Sequence, residues 1–208
     1  MWGPITPKWL GSYELELHVI IETIIVSHYT VIIDVGCAEG YYAVGLAHRI
    51  PTVQVFAYDT DFISRRQTQR LAHLNGVGRR VNVLRYCSNA EISKRSGENT
   101  LLICDIEGFE RALLNPKECL TLLQIDILVE VHEGNFSPST YDLLMARFSC
   151  SHRIKVVHAT DRQIWVQSAI KDPQLGEDRT LLLEAANEHR ANGQTWLWMT
   201  AQSHASAR

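Results

Sequence analysis

The side chains of this chain best suited to chemistry are Asp34, Asp59, Asp105, Glu107, Glu130 and His132, which fall in or just behind short apolar runs. Carboxylates at such positions can accept hydrogen bonds from hydroxyl groups. An imidazole with an ordinary pKa near 6.5 can take a proton from an alcohol or phenol at neutral pH. His132, two residues after Glu130, is the expected base, with Asp105 as the alternative and Glu107 and Glu130 beside them. The same groups could instead gather a divalent cation that orients a substrate oxygen and lowers its pKa. The chain shows no compact D-x-D-x-D loop and no H-E-x-x-H helix at these positions, so the reading favours a metal-free base and assigns no metal site.

A second cluster is the loop Gly36-Cys37-Ala38-Glu39-Gly40, which follows Asp34 in a D-x-G-x-x-x-G spacing. A dinucleotide loop requires G-x-G-x-x-G, so that backbone can approach a pyrophosphate at a helix N-terminus. Here Ala38 replaces the second glycine, and Glu39 adds a negative charge where phosphate would sit. NAD is therefore disfavoured. A cationic ligand without phosphates, S-adenosylmethionine, suits the loop better, with Gly36 and Gly40 expected to allow close backbone approach and positive φ.

These residues need a frame that brings strand ends together, and the hydrophobic pattern supplies one. The β-branched run from Val31 to Val35, the periodic stretch from Tyr41 to Ile50 and the run from Val53 to Tyr58 predict a βαβ crossover closing on Asp59. Further strands are expected at 81–86, 100–104, 125–131, 153–158 and 195–200. Helices are expected from Tyr13 to Ile25, from Phe62 to Leu74 with Thr60 or Asp61 as cap, at 141–148 and at 181–189. Residues 106–114 read as the start of a helix, with a further turn near 119–123. Residues 91–99 read as a loop or short surface helix, residues 163–168 as an extended segment, and 1–8, with Gly3, Pro4 and Pro7, as an extended arm. The sum is an α/β, Rossmann-like sheet of seven mostly parallel strands, the last antiparallel, with helices on both faces. One domain is expected over 1–208, with an arm and lid-type helix at 1–28 and the core at 29–208; residues 201–208 read as a frayed end.

Composition narrows the partners. A net charge of −3 over 208 residues gives no electrostatic reason for a nucleic-acid partner. The most apolar window, Leu15 to Val26, is broken by Glu16, His18 and Glu22, so no membrane segment is expected. Five dispersed cysteines read as reduced thiols of a cytoplasmic protein, and homodimerisation is left open.

Five blocks, in order, then carry a resemblance: Leu10-Gly-Ser-Tyr-Glu14, Asp34-Val-Gly-Cys-Ala-Glu-Gly-Tyr-Tyr42, Asn75-Gly-Val-Gly78, Asp105-Ile-Glu-Gly-Phe-Glu110 and Val129-Glu-Val-His132. Together, over roughly Gly11 to Phe148, the chain resembles the FkbM-type branch of class I S-adenosylmethionine-dependent methyltransferases. That resemblance implies O-methylation of a small-molecule acceptor, Asp59 on the ribose hydroxyls, and Ser88 and Asn89 at the adenine edge. Asp34, Gly36, Cys37, Glu39, Gly40, Thr60 and Asp105 complete the expected cofactor contacts, and Tyr13, Glu14 and Tyr41 are expected near the acceptor. Methylation of a protein or nucleic acid, or cofactor binding without catalysis, are the alternatives; intact strand-end acids beside a histidine argue against the last.

Overall fold

The computed structural model describes residues 5–172, 175, 178–188 and 194–202. Its centre is a run of parallel strands, β1 (Val31–Val35), β2 (Gln54–Tyr58), β3 (Val81–Leu84), β4 (Thr100–Cys104) and β5 (Asp126–Val131), with β1, β4 and β5 the most deeply buried. β6 (His152–His158) and β7 (Thr195–Ala201) complete a seven-stranded sheet of order β3-β2-β1-β4-β5-β7-β6. β7 runs antiparallel to both β5 and β6. The predicted mostly parallel sheet with an antiparallel last strand is what forms.

Alternate residues of the central strands feed two apolar layers. Ile32, Leu101, Ile103 and Leu128 pack with α2 (His18–Val26), α3 (Tyr41–Arg49) and α4 (Phe62–Leu74) on one face. Ile33, Leu102, Cys104, Ile127 and Val129 pack with α5 (Asn89–Arg95), α6 (Glu110–Leu113) and α7 (Thr140–Phe148) on the other. Both faces being covered explains why these strands read as continuous apolar runs instead of alternating ones. At the edge where β1 and β5 begin, Asp126 is buried, accepts from the Ala201 N–H at 2.7 Å and pairs with the Tyr29 hydroxyl, so the polar group is satisfied inside.

Several local expectations are corrected. Residues 1–4 of the expected arm lie outside the described residues, and the rest is not extended: Ile5–Leu10 forms α1, and Pro7 is tolerated because it sits in the first turn, where its missing N–H would have no partner. The expected helix from Tyr13 begins later, as a 3-10 turn at Leu15–Leu17 leading into α2. Residues 163–168 are helical, within α8 (Arg162–Ala169), started by the Asp161 side chain accepting from the Gln163 N–H at 2.8 Å. The short surface helix allowed for at 91–99 forms as α5, Asn89–Arg95, and the turn expected near 119–123 forms as a 3-10 turn at Leu120–Leu123. The expected helix at 181–189 is α9 (Arg179–Ala185); His189 and residues 203–208 lie outside the described residues. Among the described residues no helix is long and apolar enough to cross a membrane.

Candidate active site

The carboxyl ends of β1 and β4, neighbours in the sheet, open into a cleft. Its floor is the glycine loop. Gly36 and Gly40 take φ of +84° and +94°, as expected of them, and Gly40 is the residue before the first turn of α3. The reason for Gly36 differs from the expected one. A Cβ there would lie 1.7 Å from the Asp105 carbonyl oxygen, so the glycine is required by the packing of the loop on the β4 end, whatever ligand comes near.

The loop has also committed the N–H groups of Gly36, Cys37, Ala38 and Gly40. Gly36 and Cys37 N–H donate to the Tyr58 carbonyl at 2.9 and 3.0 Å, Gly40 N–H to the Cys37 carbonyl at 2.7 Å, and Ala38 N–H to Asp59 Oδ2 at 2.9 Å. A pyrophosphate cradle needs such groups free. Around the loop the lining is acidic and aromatic: Glu14, Asp34, Glu39 and Asp105 with Tyr13, Tyr41 and Tyr42. Tyr13 and Tyr41 meet edge to face at 5.0 Å between ring centres, and Tyr41 and Tyr42 at 5.2 Å. Carboxylates and ring faces attract cations, which fits the sulfonium and ammonium of S-adenosylmethionine and does not fit a diphosphate.

Asp34 is buried, and its carboxyl is pushed up to about 7, first by desolvation and then by the charge of Asp105, partly offset by a hydrogen bond from the Ala43 N–H; Asp59 and Glu14 add to the rise. A cation entering the cleft would relieve this repulsion. Burial likewise drives the Cys37 thiol well above its ordinary range, which makes it an inert wall residue. Glu14 adopts a left-handed φ of 46°; its N–H donates to Glu188 Oε1 at 3.0 Å and its carboxylate accepts from the Tyr42 hydroxyl. The three residues expected near the acceptor, Tyr13, Glu14 and Tyr41, thus all reach this cleft.

The adenosine side is less assembled. Asp59 stands at the end of β2 as expected, but its two oxygens already accept from Ala38 and Asp61 N–H, at 2.9 and 2.8 Å. Each oxygen keeps a lone-pair direction for a further donor. Thr60 is exposed, and its carbonyl accepts from Arg65 at 2.9 Å. Ser88 caps α5 through the Glu91 N–H at 3.3 Å, and Asn89 donates to Glu118 Oε2 at 3.2 Å. Both side chains therefore serve local structure, and neither Asp59, Thr60, Ser88 nor Asn89 lines the cleft described above.

On the β4 and β5 side, His132 meets three carboxylates. Its Nδ1 lies 2.9 Å from Glu110 Oε1, and its Nε2 lies 3.7 Å from Asp105 and 3.5 Å from Glu107. Glu110 is fully buried and also accepts from the Ile106 and Gly108 N–H groups, each at 3.2 Å. One carboxylate thus shapes the 105–108 turn and holds the imidazole by its Nδ1, leaving Nε2 toward Asp105 and Glu107. Desolvation lowers the His132 pKa, but the hydrogen bond and charge of Glu110, with Glu130 and Asp105, outweigh it and raise the value to about 9, well above the ordinary imidazole titration expected from sequence. Glu130, on β5, is buried on the face opposite Val129 and Val131, as alternation predicts. Glu107, whose side chain is 87% exposed, takes φ 53°. Of this group Asp105 lines the cleft described above, while Glu107, Glu110, Glu130 and His132 do not. Glu110 was missed as a site residue although it closes the Asp105–Glu110 block; its burial six residues after a strand is not legible from type alone. Lys8, which borders the cleft and pairs with Glu39, carries no sequence signal at all.

No protein-family model and no curated protein matches the sequence. Solved structures do match. A SAM-dependent methyltransferase from Geobacter sulfurreducens, solved with S-adenosyl-L-homocysteine, superposes with a TM-score of 0.55 at 14% identity, over 90% of this chain and 90% of that one. A SAM-dependent methyltransferase from Thiobacillus denitrificans, also solved with S-adenosyl-L-homocysteine, gives 0.54 at 14% identity over 90% of this chain and 91% of that one. The fold is that of the SAM-dependent methyltransferases. YjhP from E. coli shares it, with a TM-score of 0.52 at 15% identity over 95% of this chain and 100% of that one. In such a doubly wound sheet ligands bind outside the carboxyl ends of the strands, where the order reverses between β1 and β4, which is where Asp34, the glycine loop and Asp105 converge.

Proposed function

We propose that this chain is a FkbM-like, S-adenosylmethionine-dependent methyltransferase that acts on a hydroxyl group of a small-molecule acceptor. The observation that carries the reading is the glycine loop: its N–H groups at Gly36, Cys37, Ala38 and Gly40 are taken within the protein, and the cleft above it is lined by carboxylates and tyrosines. That combination suits a cation better than a diphosphate, Lys8 being the one basic side chain among the described lining residues, on a fold whose neighbours include methyltransferases solved with S-adenosyl-L-homocysteine.

Asp34, the loop and Asp105 would hold the cofactor's methionyl side and Asp59 its ribose. When bound, S-adenosylmethionine supplies an electrophilic methyl group on sulfur. The chain's own task is alignment and proton removal, and alignment alone can contribute about 7–11 kcal/mol to lowering such a barrier. His132 Nε2 takes the acceptor's hydroxyl proton while Glu110 fixes the ring by its Nδ1. Asp105 and Glu107, 3.7 and 3.5 Å from Nε2, stabilise the imidazolium that results.

A second reading has one observation in its favour: donor atoms of Asp105, Glu107 and His132 lie within 4.8 Å of one another, a spacing that a divalent cation could bridge. A methyl-transfer assay against a panel of hydroxyl compounds separates the two. Under the metal-free reading, His132→Ala lowers turnover roughly 10²–10⁴-fold with cofactor affinity nearly unchanged, and chelators have no effect. Activity abolished by EDTA and restored by a divalent cation would replace the base with a metal. Full activity in His132→Ala would remove the histidine from both.

A further inference from the structure

The cleft holds four carboxylates, Glu14, Asp34, Glu39 and Asp105, and among the described residues that line it one basic side chain, Lys8 of α1. Lys8 Nζ forms an ion pair with Glu39 and stands 4.5 Å from the ring centre of Tyr13 and 5.6 Å from that of Tyr41. Both charged side chains are 11% exposed, so the pair is shielded from solvent. Glu39 belongs to the glycine loop, so the pair ties α1 to that loop inside the cleft.

Resting on the S-adenosylmethionine reading above, we propose that Lys8 is a cofactor-contacting residue that takes the carboxylate of the methionyl end by exchanging its ion pair with Glu39. The cofactor's methionyl end is a zwitterion, and the free cleft already contains one cation paired with one anion. Insertion of the zwitterion lets the ligand ammonium inherit Glu39 while Lys8 inherits the ligand carboxylate. Each charge exchanges one partner for another, so no group is desolvated without a counter-charge. Without Lys8 the ligand carboxylate would face Glu14, Asp34 and Asp105 with no lining cation opposite it. Because Lys8 belongs to α1, the exchange also couples the amino-terminal helix to cofactor occupancy.

The test compares, by titration calorimetry, S-adenosyl-L-homocysteine with its decarboxylated analogue, which keeps the ammonium. Wild type, Lys8→Met and Lys8→Arg are titrated with both, and the ratio of the two affinities isolates the carboxylate contribution from any general effect of the substitution. The wild type should favour the intact ligand, Lys8→Met should reduce that ratio by at least about tenfold, and Lys8→Arg should keep most of it. An unchanged ratio in Lys8→Met overturns the assignment of Lys8. A wild type that binds neither ligand overturns the cofactor reading on which the assignment rests.

Discussion

In the proposed mechanism, Glu110 is the residue on which the basicity of His132 depends. A buried carboxylate accepting from His132 Nδ1 and from two backbone N–H groups both aims the ring and raises its pKa to about 9. Only the neutral imidazole can act as base, so activity should rise with pH toward that value in the metal-free mechanism. Glu110→Gln keeps the shape and an acceptor oxygen but removes the charge. Its activity profile should move to lower pH by about one unit or more, the size expected when a charge-assisted hydrogen bond becomes a neutral one. The linkage to stability has a fixed sign. A histidine whose folded pKa is raised contributes stability that is fully present below the unfolded value near 6.5 and is lost as pH rises through about 9. Urea titrations between pH 6 and 10 should therefore show a smaller loss across that window in Glu110→Gln than in wild type. A profile that does not move would detach Glu110 from the catalytic base.

At the scale of elements, the amino-terminal segment is secured by a buried charge cluster. Arg162 at the start of α8 reaches Glu16 Oε2 at 2.9 Å and also pairs with Glu188, whose Oε1 accepts from the Glu14 N–H at 3.0 Å. The acids are 2% and 4% exposed. Arg162→Ala leaves both without this partner, and breaking a buried pair costs about 3–5 kcal/mol, measurable as a lower denaturation midpoint in urea. Loss of less than about 1 kcal/mol would mean that the cluster is not what fastens the segment. None of this coupling was legible in the sequence, since 16, 162 and 188 share no local pattern. The βαβ units were legible, because strands buried on both faces must be apolar throughout and Asp61 announces the start of α4 by its capping side chain, which accepts from the Ser64 N–H at 2.6 Å. The elements misread were those where two local signals conflict. Pro7 suggested an arm but fits a first helical turn, and residues 163–168, read as extended, are helical because the Asp161 side chain caps them and Val166 and Ala169 pack with Leu182.

For the molecule as a whole, the strand order carries the site: β1 and β4 lie side by side at the sheet centre, so Asp34 and Asp105, 71 positions apart in the numbering, face one cleft. The strand-end acids could be ranked from sequence because a doubly wound sheet exposes only its carboxyl edge to ligand. The roles of Ser88 and Asn89 could not, since a helix cap and an adenine contact call for the same residue types. The account stands on the claim that the cleft takes a zwitterionic sulfonium cofactor and refuses a dinucleotide. Titration calorimetry of the purified protein with S-adenosyl-L-homocysteine and with NAD tests it directly. Saturable binding of S-adenosyl-L-homocysteine, with NAD weaker by orders of magnitude, is the predicted result, and tighter binding of NAD, or no binding of S-adenosyl-L-homocysteine, would contradict it.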